Sequence, residues 1–252
     1  MLVKSQVKYI QSLGHKKYRD EEGAFIAEGP KLISELLTAN NTALVDLFAT
    51  KEWIESNSAL LSGKPHTEIK EQELKRISFL TTPNEVIGIF KKPLFPEIKL
   101  KGKITLVLDN IQDPGNLGTI VRTADWFLVD QVVCSEDCAD IFNPKVVQAT
   151  MGSISRVKTL YTDLQVFLKN YADIPQYATA LEGENIFDIK PIREGIIVIG
   201  NESKGISKEL LKTIQHRITI PGKGGAESLN AAVATGIVLS HIFKRLSMTD
   251  GR

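Results

Sequence analysis

Three stretches of this chain concentrate residues able to do chemistry: LDNIQDPGNLGTIVRTADWF at 108–127, IVIGNESKG at 197–205 and ITIPGKGGAESLN at 218–230. Each begins as an apolar, β-branched run, breaks into a Gly/Asn/Pro-rich turn and leads into a helical pattern, so each turn sits at the carboxyl end of a strand. Open α/β sheets hold their ligands along that edge. The turns offer Asn116, Arg122, Glu202, Ser228 and Asn230 as polar side chains, and Gly200, Gly205, Gly222, Gly224 and Gly225 as places where backbone can approach a ligand. Several chemistries are missing. The first turn has only Gly115 and Gly118 where a dinucleotide fingerprint needs G-x-G-x-x-G, although Glu136 stands near the end of the following strand. The second carries no G-K-[ST], and His15, His66, His216 and His241 fall at spacings that make neither a zinc H-E-x-x-H nor a Ser/His/Asp set. What remains is a site of backbone amides and carbonyls suited to a nucleoside-like, adenine-bearing ligand held without a diphosphate.

The elements that must position these turns read as two α/β units. In the second, strand-like runs ITLVLDN, QVVCS, RVKTLY, QYATAL, GIIVIGN and HRITIP alternate with helical patterns, which predicts a mostly parallel sheet with helices on both faces. Leu117, Ile120, Val121, Ala124 and Leu128 make one apolar helical face and leave Arg122, Thr123 and Asp125 off the stripe. Asn143-Pro144 opens a second helix in the cap-then-proline manner, and Ser228 is expected to cap a last helix running to about Leu246. The first unit is expected to hold a helix near residues 4–13, a strand at 24–28, a helix opening at Gly29-Pro30, and strands near 44–49 and 86–90. KKPLFPEIKLKGK, with prolines at 93 and 96, reads as the connection, giving domains at 1–97 and 104–246 joined by 98–103.

At 252 residues, 42% hydrophobic and 24% charged, the chain is long enough to bury two cores. A net charge of +1 argues against a generally basic, nonspecific nucleic-acid binder. Any nucleic-acid contact must come from a local cluster, and the clearest is His15, Lys16, Lys17 and Arg19, with Lys4 and Lys8 earlier on the first helix. The apolar stretches are too short for a membrane span and the first residues lack the apolar core of a signal peptide, which points to the cytoplasm. Cys134 and Cys138 have no partners at metal-ligand spacing, so they read as reduced, half-buried thiols and no metal is expected.

In order, and across 104–246, the sequences LDNIQDPGNLGTIVRTAD, IVIGNESKGIS and ITIPGKGGAESLNAAVATG resemble the signature motifs of the SpoU/TrmH family of RNA ribose 2′-O-methyltransferases in the SPOUT superfamily. Residues 1–97 more loosely resemble the small RNA-binding domain, related to a ribosomal protein, that precedes the catalytic domain in many rRNA-modifying members. The resemblance implies a trefoil-knotted α/β catalytic domain, a topology that connection rules alone would reject. Ala231, Ala232, Ala234 and Gly236 are compatible with close packing of its last helix. Also implied are S-adenosylmethionine as methyl donor, RNA as partner, and a homodimer with the site near the subunit interface.

Carried across by motif position, Asn116 and Arg122 match the polar pair of the first motif, Glu202 the acidic residue of the second, and Ser228 and Asn230 the Ser-x-Asn of the third. These five are the expected catalytic-site residues. Arg122 is expected closest to the nucleotide, held by Asn116 and Glu202, and joins Lys16, Lys17 and Arg19 as an RNA contact. Thr179, Ala180, Leu181, Gly200, Asn201, Glu202, Gly205, Ile220, Pro221, Ser228 and Leu229 are expected to line the cofactor site. Many tRNA-modifying relatives carry a large apolar residue after the motif-three proline, where this chain has Gly222 and Lys223. With the long N-terminal domain, that tilts the expectation towards ribosomal RNA. A tRNA substrate, and a noncatalytic RNA-binding or ribosome-assembly factor on the same fold, are the alternatives.

Overall fold

The computed structural model describes residues 2–244, so the expected end of the last helix and of its domain at residue 246 lies outside the described residues. The chain divides into two compact units: one holds the chain up to Pro96 together with Asp140–Ser155, the other Glu97–Ala139 and the chain from Arg156 onward. In chain order the first unit contains α1 (Lys4–Ser12), α2 (Lys16–Glu22), β1 (Ala24–Glu28), α3 (Pro30–Thr38), β2 (Leu44–Ala49), α4 (Lys51–Ser56), α5 (Ser58–Leu61), β3 (Thr67–Glu68), α6 (Glu71–Ile77) and β4 (Val86–Lys91). Its sheet has the order β1-β4-β2-β3, with β4 antiparallel to both neighbours. The i, i+3 pair Val7 and Ile10 of α1 meets Leu74 and Ile77 of α6 over Ile26, Phe48, Ile87 and Ile89 of the sheet. Each such side chain removed from water contributes about 1.5–3 kcal/mol.

The second unit runs β5 (Ile104–Asp109), α7 (Pro114–Trp126) and β6 (Gln131–Cys134); the chain then supplies α8 (Pro144–Thr150) to the first unit and returns for β7 (Lys158–Tyr161), α9 (Leu164–Asn170), β8 (Gln176–Asn185), β9 (Gly195–Gly200), α10 (Lys208–Thr213), β10 (His216–Thr219) and α11 (Ala231–Phe243). The six strands pair in the order β10-β8-β9-β5-β6-β7, every pair parallel. Val107, Val133, Ile196 and Val198 face α9 and α10, packing with Phe167, Leu168 and Leu210. Alternation turns Leu106, Leu108, Ile197 and Ile199 to the opposite face, where α7 and α11 pack on the sheet. Burial on both faces explains why these strands read as continuous apolar runs. From β5 the chain moves one way to β6 and β7, and the other way to β9, β8 and β10, so the carboxyl ends of β5 and β9 form the switch point of the sheet.

Two local features differ from expectation. The cap of α11 is Asn230, whose Oδ1 accepts from the amides of Ala232 and Val233, and not Ser228, whose hydroxyl is bonded elsewhere. In β8 the pairing with β10 jumps from Ala178↔Arg217 to Glu184↔Ile218, so residues 179–183 bulge out opposite a single peptide. Gly183 is required there, because a Cβ would lie 2.6 Å from the Arg217 carbonyl oxygen. Among the described residues no helix is long and apolar enough to cross a membrane.

An ion pair helps to fasten the 140–155 segment to the rest of the first unit. Arg19 is 2% exposed; its Nη2 lies 2.5 Å from Asp140 Oδ2, its Nε donates to the same oxygen at 3.1 Å, and its Nη1 donates to Leu13 O at 2.9 Å. Phe142 packs on Phe25 at 5.3 Å, and Asn41 Nδ2 donates to Ser155 O at 2.7 Å. Removing one member of a buried pair strands the other charge, at a cost of about 3–5 kcal/mol. Arg19→Met should therefore lower unfolding free energy in urea by about that amount, and Arg19→Met with Asp140→Leu by less than the single change. A single variant within about 0.5 kcal/mol of wild type would show that the pair does not fasten the segment.

Candidate active site

The site is assembled where β5 and β9 lie side by side in the register Asp109↔Gly200. Beyond β5, Asp113 caps α7, its Oδ1 accepting from Asn116 N at 2.7 Å, with Pro114 in the first helical position. This cap sets Asn116 on the first turn of α7. Beyond β9, Asn201 and Gly205 exchange two backbone hydrogen bonds of 3.1 and 2.8 Å, closing a tight turn around Glu202. Asn201 Oδ1 accepts from the amides of Ser203 and Lys204, and its Nδ2 donates to Asn110 O at 3.0 Å. Gly200 cannot be larger, since a Cβ there would come within 2.3 Å of the Gly205 carbonyl carbon. Asp109 Oδ2 accepts from Ser207 N at 2.7 Å and ties the same two strand ends from the other side.

These loops converge on one carboxamide. Asn116 Nδ2 donates to Glu202 Oε1, and Asn116 Oδ1 accepts from Asn230 Nδ2 at 2.8 Å. Ser228 Oγ donates to the Glu202 carbonyl at 3.1 Å. Asn116, Glu202, Ser228 and Asn230 thus come together as one network with a member from every motif. Arg122 does not join it. It is exposed on α7, no partner holds it among the described residues, and six residues beyond Asn116 it sits about 9 Å along and roughly 240° around the helix. Asn116 and Glu202 hold each other instead of Arg122.

The expected cofactor residues surround the same turns. Thr179 Oγ1 donates to Val198 O at 3.0 Å at the start of the β8 bulge, and Thr219 Oγ1 donates to Leu181 O at 3.0 Å at its far side. Leu181 is 77% exposed and Leu229 44% exposed, while Ile220 is half-buried and Ala180, Pro221 and Gly205 complete the rim of backbone. Exposed leucines beside strand-end backbone, in loops without a phosphate-binding sequence, fit an adenosine ligand without phosphates.

The N-terminal cluster is different. Arg19 is buried in its ion pair and is not available to RNA, which corrects that expectation. Lys16 and Lys17 are exposed, but each lies against a carboxylate one turn on, Asp20 at 2.6 Å and Glu21 at 3.9 Å.

Asp109 and Asp113 escaped the sequence reading. The Asp-Pro pair at 113–114 carries the cap-then-proline signal, whereas nothing local announces Asp109. Ser135 and Cys138, beside the first turn, were missed as well. A hydrogen bond from Cys134, opposed by burial and helped by Ser135 and the Ile111 amide, draws the Cys138 thiol down to about 7. The same contact and burial push Cys134 well up.

Residues 103–240 match the model of the SpoU rRNA Methylase family, and residues 4–88 match the MRM3-like substrate binding domain. The chain is 30% identical over 241 residues to the 23S rRNA (guanosine(2553)-2′-O)-methyltransferase RlmP of Bacillus subtilis, covering 94% of this chain and 95% of that one. It is similar to the AdoMet-bound rRNA methyltransferase from Sinorhizobium meliloti, with 32% identity, a TM-score of 0.84, and 98% and 97% of the two chains covered. A structure described by 2′-OH methylation of C/U34 on tRNA matches with 26% identity and a TM-score of 0.52, over 58% of this chain and 97% of that one.

Asn230 separates two roles by substitution. Asn230→Asp keeps the helix cap but loses the donor to Asn116, so the melting temperature should hold while amide exchange at 200–206 accelerates about tenfold. Asn230→Ala should show the same acceleration and lose about 1 kcal/mol of stability besides. Unchanged exchange in Asn230→Asp would mean that the bond to Asn116 does not order the loops.

Proposed function

The chain belongs to the SpoU rRNA methylase family, and from that premise we propose that it transfers a methyl group from S-adenosylmethionine to a ribose 2′-hydroxyl of ribosomal RNA. The observation that carries this reading is the single network through Asn116, Glu202, Ser228 and Asn230, which joins all three loops at the switch point of the sheet. Ribosomal RNA is favoured over tRNA by the extent of the likeness: the rRNA enzyme RlmP matches nearly the whole chain, whereas the tRNA structure matches 58% of it. The substrate-binding likeness over residues 4–88 supports an RNA-docking role for the N-terminal domain, in which Lys16 and Lys17 meet phosphates. The cytoplasm is the proposed compartment, supported by two free cysteines.

S-adenosylmethionine, when bound, supplies a methyl group made electrophilic by its sulfonium. Thr179, Ala180, Leu181, Gly200, Asn201, Gly205, Ile220, Pro221 and Leu229 would hold it, through backbone groups and the two exposed leucines. The protein forms no covalent bond to substrate; it fixes geometry. A held near-attack arrangement can supply roughly 7–11 kcal/mol of such a barrier. Arg122 offers N–H donors and no acceptor, so it is not given the role of base. It clamps the phosphate next to the reacting ribose through paired N–H donors and orients the hydroxyl, whose proton passes to that phosphate or to water. Asn116 and Glu202 hold the loops around this geometry, and Ser228 and Asn230 organise the third.

A homodimer completes the site in this proposal. Trp126 is 82% exposed, Leu128 86% and Val233 51%, on or beside two helices that pack together through Phe127 and Phe243, whose rings stack at 5.9 Å. An open groove of about 480 Å³ along α11, lined by Phe187, Val233, Ile237 and His241, continues this apolar surface. Apolar area of this kind marks an interface. Since Arg122 points away from its own chain's network, a two-fold partner is how its cation reaches a set of motif loops.

Two measurements test these readings. Labelled methyl transfer to RNA from cells lacking the protein should mark ribosomal RNA, should fall roughly 10²–10³-fold in Arg122→Ala, and should stay low in Arg122→Lys, which cannot make the paired contact. Absence of label in every RNA pool and in partly assembled ribosomal particles would sink the activity. Arg122→Ala and Asn230→Asp should each lose transfer alone, and mixing the two protomers should restore it, because one site of each mixed dimer is then intact. No restoration in a verified mixed dimer would place Arg122 and Asn230 in the same chain's site.

A further inference from the structure

Residues outside all three motifs hold the backbone on which the first motif turns. At the end of β5, Asn110 takes the left-handed conformation with φ 59°, which asparagine adopts more readily than most residues other than glycine and which its neighbours fix here. The loop after β6 does so with a run of contacts. Ser135 N donates to Leu108 O at 2.9 Å, and Ser135 Oγ accepts from Asn110 N at 2.9 Å. Cys138 Sγ accepts from Ile111 N at 3.2 Å and also lies 3.3 Å from Leu108 O, while Ala139 N donates to Ile111 O at 2.9 Å. Cys138 is buried, at 8% exposed, and the half-buried Ser135 places its Oγ 3.4 Å from Cys138 Sγ. So four backbone groups between Leu108 and Ile111 are met by one short loop.

The consequence runs onward through Asn110. Its carbonyl accepts from Asn201 Nδ2, and Asn201 Oδ1 accepts from the amides of Ser203 and Lys204, the two residues that follow Glu202. Turning the Asn110 peptide would withdraw that carbonyl and release the carboxamide that shapes the Glu202 turn. We propose that Ser135 and Cys138 are positioning residues for the methyl transfer, setting the Asn110 turn and, through Asn201, the place of Glu202 against Asn116. This rests on the methyltransferase reading. The hydroxyl and thiol are suited to the task because each is compact and can accept from an amide. Neither needs to touch substrate.

The test uses full-length Ser135→Ala, Cys138→Ala and the conservative Cys138→Ser, whose hydroxyl can still accept from Ile111 N. Amide exchange is read at Asn110 and Ile111 and, remotely, at Ser203 and Lys204. The alanine variants should speed exchange at all four amides, by about tenfold at Ser203 and Lys204, and Cys138→Ser should restore most of the protection. In steady-state transfer, kcat should fall about tenfold in the alanine variants, with KM for S-adenosylmethionine within about twofold of wild type. Faster exchange confined to Asn110 and Ile111, or an unchanged kcat, would overturn the proposal and leave Ser135 and Cys138 a merely local role. If the wild-type protein transfers no methyl group, the activity reading falls, and the exchange at Ser203 and Lys204 still decides whether the loop controls the Glu202 turn.

Discussion

Everything in the catalytic unit that bears on function depends on one side chain satisfying two partners of opposite need. A carboxamide has a donor end and an acceptor end. Glu202 only accepts, and Asn230, whose Oδ1 is already committed to the first amides of α11, has only its Nδ2 left to give. Asn116 is the residue type that meets both at once. An aspartate would face a carboxylate, and a lysine would have nothing to offer Asn230. The three loops so joined are separated by 86 and 114 residues along the chain, and their meeting is set by the sheet: Asp109 is opposite Gly200, so the first and second turns leave the sheet at the same level. A one-residue slip would turn both strands' buried side chains to the wrong face, so core packing and site geometry enforce the same register.

Much of the frame was legible because its signals are local. The runs at 104–109 and 195–200 are apolar throughout because parallel strands are covered on both faces, and they were read as strands for that reason. Pro30, Pro114 and Pro144 stand in the first helical position of α3, α7 and α8, where a missing N–H costs nothing. The five motif residues were located from the resemblance, and four of them meet in the structure. What escaped the reading depends on contacts distant in sequence. Ser228 and Asn230 are both good caps, and the choice between them was made by the Glu202 carbonyl, which takes the Ser228 hydroxyl. Arg19 reads in the sequence as an RNA contact within a basic cluster, and its burial depends on Asp140, 121 residues on. No periodicity announces that residues 140–155 leave one sheet to pack with another unit, nor that 179–183 bulge, beyond a single glycine at 183.

The way the loops are joined bears on what Arg122 can do. A guanidinium is the strongest available partner for a carboxylate, and an Arg122–Glu202 pair inside one chain would be bidentate and hard to break. Such a pair would spend the cation on the protein itself. Here Glu202 is satisfied by a neutral amide and by its place in the Asn201–Gly205 turn, and the loops are held together without using any positive charge from α7. Arg122 is left exposed with no partner among the described residues, so the phosphate contact proposed for it requires no bond within its own chain to break first. Under the proposed mechanism, fixing the loops with amides leaves the guanidinium for the substrate, and this suits a site that works by positioning, because a clamp that must first release an internal partner loses part of its binding free energy before any geometry is set.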